Sequence, residues 1–145
     1  MGGGTEFGIQ IGKALLHDAI GGKILFLCQK IGLGKSPSIK IAGAKRSHLA
    51  LFDQGIKTVI TTLGASGYEI ATQGDEKVFP CIKITPVDTT AAGDTACGGL
   101  CAELSLGKDI YEAMAFGSRA ASIACIRKGA QMSVPSRDEV ISYKG

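Results

Sequence analysis

The sequence predicts an α/β chain in which helices pack on a sheet. Three observations point there. Thr58-Val59-Ile60-Thr61-Thr62-Leu63 is a β-branched run typical of a buried strand. Residues 93–106 and the stretch after Asp109 carry small-residue helical patterns instead. Glycine or proline punctuates the joins, at Gly55, Gly64, Gly67, Gly74, Pro80, Pro86 and Gly107. At 145 residues the chain is one domain, long enough to bury about two-thirds of its unfolded surface.

Taken in order, residues 1–44 are dense in glycine and poor in acidic residues, with Glu6 and Asp18 alone. A helix across 10–20 and a strand over 24–28 are the elements this segment suggests. From residue 45 the periods sharpen. Residues 45–54 fit a short amphipathic helix stopped by Gly55. Strand 58–63 is followed by a turn at 64–67, a strand at 68–72, a turn at 73–75, and one or two strands over 78–87 broken at Pro80 and Pro86. A helix over 93–106 ends at Gly107. Asp109 caps the next helix, which runs to about Ile126. Ser136-Arg137-Asp138-Glu139 opens a last short helix with a capping box.

Composition limits the function. Apolar residues make up 45% and charged residues 20%, which describes a globular chain. The net charge of +3 is unevenly spread: residues 1–57 hold eight Lys/Arg against three Asp/Glu, and 58–145 hold eight against ten. The lysines are scattered without interleaved aromatics, which argues against a nucleic-acid partner. Five cysteines (Cys28, Cys81, Cys97, Cys101, Cys125) with no CxxC pair argue against a disulfide framework or a zinc site built on His and Cys, and read as buried reduced thiols. The apolar run 24–28 is too short to span a bilayer and no signal-peptide layout opens the chain, so no membrane partner is expected and the cytoplasm is the expected compartment.

The stretch most informative about chemistry is Val87-Asp88-Thr89-Thr90-Ala91-Ala92-Gly93-Asp94-Thr95. It joins an apolar β-prone run to a small-residue helix. Free backbone N–H groups at a helix start, with about half a positive charge from the dipole, favour an anion. A carboxylate inside such a site does not suit anion storage. It suits phosphoryl transfer to a hydroxyl, which needs donors for developing charge and a base for the attacking oxygen. Asp94 lies inside the helix start and is the candidate base, with capping as its structural alternative. Asp88, beside Thr89 and Thr90, can close a turn or ligate a cation.

Other motifs are weaker. Gly34-Lys35-Ser36 lacks the glycine a P-loop needs at position 29, which is Gln29, and Pro37 follows at once. Thr62-Leu63-Gly64-Ala65-Ser66-Gly67 is either a hairpin turn or a close backbone approach to a nucleotide. Cys97 and Cys101, one helical turn apart, read as core. Arg127-Lys128-Gly129-Ala130-Gln131 is either a solvated helix end or a run of carbonyls around a cation.

Together, residues 87–95, residues 127–135 about thirty residues later, and the strand and loop 55–64 resemble the C-terminal half of ribokinase-like sugar kinases. The resemblance covers residues 55–140, more than half of the chain. It implies part of a Rossmann-like three-layer α/β/α sandwich on a mostly parallel sheet, lacking the N-terminal half and lid that hold the sugar. It also divides the chain into a poorly matched segment 1–44 and a nucleotide-binding part 45–145.

The resemblance implies ATP-dependent phosphorylation of a sugar, ribose first, with fructose or adenosine as alternative acceptors and a non-catalytic nucleotide-binding remnant as the other alternative. Asp94 would be the base, also touching substrate, and Ala91, Ala92 and Gly93 would form the anion hole. Thr62, Leu63, Gly64, Ala65, Ser66 and Gly67, with Gly93, Asp94 and Ser118, would line the nucleotide. Asp88, Thr90, Ala124, Arg127, Gly129 and Ser133 would hold a monovalent cation, K+, while Mg2+ travels with ATP. The family's Asn-x-x-Glu motif is missing, since the chain contains no Asn. The chain is therefore expected to bind ATP weakly, turn over ribose poorly, and self-associate or need a complementing N-terminal fragment.

Overall fold

The computed structural model describes residues 11–17, 23–29, 48–49 and 51–144. The Gly34-Lys35-Ser36 turn lies outside them. Five strands form one sheet in the order of the chain: β1 (Ile11–His17), β2 (Lys23–Gln29), β3 (Ile56–Thr62), β4 (Tyr68–Thr72) and β5 (Asp75–Phe79). Helix α1 covers 48–49 and 51–53, and α2 (Ala92–Ser105), α3 (Ile110–Cys125) and α4 (Arg137–Ser142) follow the sheet.

Among the described strands only β2 and β3 pair in parallel; β1–β2, β3–β4 and β4–β5 are antiparallel. This corrects the expected mostly parallel sheet. The reason is loop length. Strands joined by the tight turns at 63–67 and 73–74 can only return beside one another, and Gly74 supplies the positive φ of 99° that the second turn requires. The helix expected over 10–20 is also corrected, for its described part is β1. Pairing along β2, from Ile11 opposite Gln29 to His17 opposite Lys23, satisfies that backbone in the sheet rather than in a helix. The expected strand over 78–87 instead begins at Asp75 and ends at Phe79. Pro80 and Pro86 have no N–H to continue a ladder.

The remaining elements match closely. Gly55 and Gly107 take φ of 84° and 79° just beyond α1 and α2. Asp109 caps α3 by accepting from the N–H groups of Tyr111 and Glu112, and Ser136 with Glu139 forms a complete capping box on α4.

Side-chain alternation builds three layers. Ile60, Tyr68 and Ile70 point to one face and pack on Ala96, Leu100, Ala113 and Met114 of α2 and α3, with Phe79 alongside. Glu69 and Glu76 point to the other face, where His48 of α1 meets them. Helices α2 and α3 approach closely because glycines face each other. A Cβ on Gly117 would lie 2.4 Å from the Ala96 carbonyl oxygen, and one on Gly99 would lie 2.8 Å from the Gly117 Cα. A smaller cluster of Ala120, Ile123 and Val140 attaches α4. The expected burial of the thiols holds for Cys125, whereas Cys81, Cys97 and Cys101 are half-buried. No disulfide joins these four.

Candidate active site

The site forms where the chain leaves the sheet and enters α2. The last carbonyl of α3 gathers this crossing: the N–H groups of Val87 and Asp88 both donate to the Cys125 oxygen, at 2.7 and 3.1 Å. Asp88 then ties two loops together. Its Oδ1 accepts from the Thr90 hydroxyl at 2.6 Å and the Thr90 N–H at 3.0 Å, and its Oδ2 accepts from the Gly129 N–H at 3.0 Å. These donors, the Thr90 hydroxyl foremost, hold the Asp88 carboxyl below the usual carboxylate range. Three of the six residues expected around a monovalent cation, Asp88, Thr90 and Gly129, are thus in direct contact.

The other three lie on the same helix end and the loop after it. The Ala124 carbonyl accepts from Arg127 N–H at 3.1 Å as α3 terminates. Arg127 pairs with Glu139 at 2.7 Å, and buried Ser133 donates its hydroxyl to the Ala130 carbonyl at 2.6 Å. Arg127 and the Ser136 N–H bring the Glu139 carboxyl down to about 2.

Helix α2 starts with Ala91 at the N-cap, and no side chain caps it. The Ala92 N–H is taken by the Thr89 carbonyl at 3.2 Å. Among the described residues, the N–H groups of Ala91, Gly93 and Asp94 have no acceptor, as a first helical turn requires unless something supplies one. Asp94 stands in this turn, exposed, its carboxylate in no hydrogen bond or ion pair with the described residues. It is not spent on capping.

Asp94 opens onto a cleft of about 430 Å3 between α2, α3 and the start of α4. Gly98, Ala102, Phe116 and Val134 make its walls largely apolar. Arg137, also on the wall, binds buried Glu103 through two bonds, Nε to Oε1 at 2.9 Å and a terminal nitrogen to Oε2 at 3.3 Å, and lies 5.8 Å over the Phe116 ring. Sequence reasoning missed this pair. Only the capping box that begins α4 hinted that Arg137 is held in place.

The loop 62–67 is built differently. It closes on itself: Leu63 N–H donates to Gly67 O, Ser66 N–H to Leu63 O and Gly67 N–H to Gly64 O. Gly67, at φ 100°, is required by the chain's own backbone, since a Cβ there would lie 1.9 Å from the Phe79 carbonyl oxygen. The Cys81 thiol donates to the Ala65 carbonyl at 3.3 Å. Ser118, half-buried on α3, accepts through its carbonyl from the Ser122 hydroxyl, and no hydrogen bond among the described residues joins it to this loop.

Comparison with known proteins identifies the family and the fold. The profile of the pfkB family carbohydrate kinases matches residues 35–137. The ribokinase of Haemophilus influenzae is 42% identical over 100 residues, covering 69% of this chain and 33% of that protein. The crystal structure of ribokinase from Thermotoga maritima superposes with a TM-score of 0.65 at 41% identity, covering 67% of this chain and 33% of the other. The structure of Arabidopsis thaliana ribokinase complexed with ribose and ATP gives a TM-score of 0.66 at 30% identity, over 72% of this chain and 34% of that one. The chain thus spans about a third of the length of the relatives it matches.

Proposed function

The chain belongs to the pfkB family of carbohydrate kinases, and from that premise we propose that it carries the base and the phosphate-facing amides of an ATP-dependent sugar kinase. The reaction is D-ribose with ATP giving D-ribose 5-phosphate and ADP. One observation carries the reading: Asp94 stands exposed at the mouth of a cleft, beside amides that, like its own carboxylate, have no partner among the described residues.

The chemistry follows from those groups. Asp94 accepts the proton of the attacking hydroxyl. The N–H groups of Ala91, Gly93 and Asp94 face charge that develops on the phosphoryl oxygens, and by analogy with other preorganised sites each such donor is worth about 3 kcal/mol of barrier. The Ala92 N–H joins them only by leaving Thr89. ATP, accompanied by Mg2+, supplies the phosphoryl group. Residues 62–67 and Ser118 flank the nucleotide in this reading. The oxygens of Asp88, Thr90, Ala124, Arg127, Gly129 and Ser133 suit a hard monovalent cation such as K+.

At a third of the relatives' length, the chain binds ATP weakly and turns over ribose poorly or not at all alone. Val87, Met132 and Val134 expose apolar surface around the site (Met132 is 87% exposed), which favours self-association or a complementing polypeptide. Calorimetry with ATP and Mg2+, in K+ and then in Na+ buffer, tests the reading. Weak binding that K+ strengthens is expected; no heat in either buffer overturns it. Full ribose turnover by the purified chain overturns the need for a partner. A panel of ribose, fructose and adenosine on the assembled enzyme decides the acceptor.

A further inference from the structure

Arg137 and Glu103 form an ion pair that the proposed chemistry does not use. We propose that Arg137 is a positioning residue: by gripping Glu103 it fixes α4 on α2, and through Glu139 and Arg127 it sets where loop 127–133 stands beside Asp88. The inference rests on the reading of that loop as the cation side of the kinase site. Asp94 stands in the first turn of α2 and Glu103 in the last, about 13 Å apart along the axis. Glu103 therefore acts on the site only through the frame.

The ties around α4 form a bracket. Arg137 and Glu139 are two residues apart, so they leave the helix about 200° from one another and reach different neighbours. Arg137 Nε donates to Glu103 Oε1 at 2.9 Å and a terminal nitrogen to Oε2 at 3.3 Å. Glu139 Oε1 accepts from Arg127 at 2.7 Å, and its Oε2 accepts from the Ser136 N–H at 2.7 Å. Val140 packs on Ala120 and Ile123 of α3. The hydrogen bonds within the loop are local, from the Ser133 N–H and hydroxyl to the Ala130 carbonyl. Its placement is set instead by α3 where it begins, by Asp88 at Gly129, and by α4 where it ends.

The two ionic ties are unequal. The Arg127 and Glu139 side chains are 36% and 48% exposed, and a pair so wet contributes little by itself. The Glu103 side chain is 6% exposed, and a carboxylate taken out of water is costly unless a partner satisfies it. A guanidinium fork meets both oxygens at one placement of the helix, and a slide by one turn would leave Glu103 charged and alone. With six residues, α4 cannot hold its place by helix propensity. A buried pair of this kind is better suited to fixing register than to adding stability.

The test uses the purified chain and two variants. Arg137→Lys keeps the charge and loses the fork; the double variant Glu103→Leu/Arg137→Met removes both charges. The double variant is expected to unfold at or above the wild-type midpoint, since apolar replacement of a buried pair is often neutral or stabilising. In both variants the Gly129 N–H is expected to exchange with solvent at least about tenfold faster, the measure of one lost charge-assisted hydrogen bond. Any advantage of K+ over Na+ in ATP binding, read by calorimetry, is expected to be lost. Wild-type exchange at Gly129 in the folded double variant overturns the proposal, and so does a retained K+ advantage beside faster exchange. Faster exchange with no K+ advantage in the wild type sustains the positioning role and overturns the cation reading instead.

Discussion

Two turns carry small residues and a glycine, one between β3 and β4 and one at the start of α2, and they differ in what their amides do. In 62–67, three N–H groups are spent within the turn, and Gly67 is demanded by the Phe79 carbonyl. In 89–94 the helix start leaves the amides of Gly93 and Asp94 without acceptors among the described residues, and Gly93 sits in ordinary helical backbone outside the positive-φ glycines. The lesson concerns glycine. At 67 its lack of a side chain is used up by the protein's own packing. At 93 no positive φ calls for glycine, and its amide stands in the first turn of α2.

The largest effect that would break this comparison is on chemistry. Asp94→Asn is expected to lower phosphoryl transfer by about 10²–10⁴-fold while ATP affinity stays the same or rises, since a negative charge beside the phosphates is gone. A coupled assay on the assembled enzyme, paired with calorimetry, reads both. Equal turnover would remove Asp94 from the base role.

Next come the glycines themselves. Gly67→Ala combines a positive-φ strain and a backbone clash, and should cost about 2–5 kcal/mol in urea unfolding. Gly93→Ala lies in helical backbone and should be neutral or stabilising by up to about 1 kcal/mol, yet weaken ATP binding. If Gly93→Ala binds ATP as well as the wild type, the two turns are alike and the contrast fails.

The smallest effect is on acid stability. Glu139 titrates at about 2 in the folded chain, below the ordinary 4.5, because Arg127 and the Ser136 N–H hold its charged form. A depressed carboxyl stabilises the fold above its unfolded value, and that contribution fades as pH falls from about 4.5 to about 2. NMR titration of Glu139 should show the low midpoint, and Arg127→Ala should move it upward. An unmoved midpoint would detach the Arg127 loop from α4.

Much of this was legible in the chain. Helix ends and turns were marked by Gly55, Gly107, Asp109 and Ser136, because caps are local and their residue types are few. Strand β4 was found residue for residue, bounded by Gly67 and Gly74. Strand direction was not, although the two tight turns already implied antiparallel returns. Strand β1 was hidden because Ile11-Gly12-Lys13-Ala14-Leu15-Leu16-His17 has no firm period of its own and becomes a strand by pairing with β2. In the candidate site, the position of Asp94 at a helix start was legible from spacing, whereas the Ala92 amide, expected among the free donors, is taken by the Thr89 carbonyl. The Asp88–Gly129 bond, the Glu103–Arg137 pair and the meeting of His48 with Glu69 and Glu76 were not, since each joins residues separated by at least 21 positions.

The crossing of α2 and α3 at Gly99 and Gly117 has a mechanical consequence. With backbone against backbone and no space for a methyl group, α2 is seated directly on α3. Asp94 therefore rides on a helix anchored by close packing. If Asp94 is the base of a kinase, closure over this centre is expected from parts that travel toward the aspartate rather than from the helix bearing it.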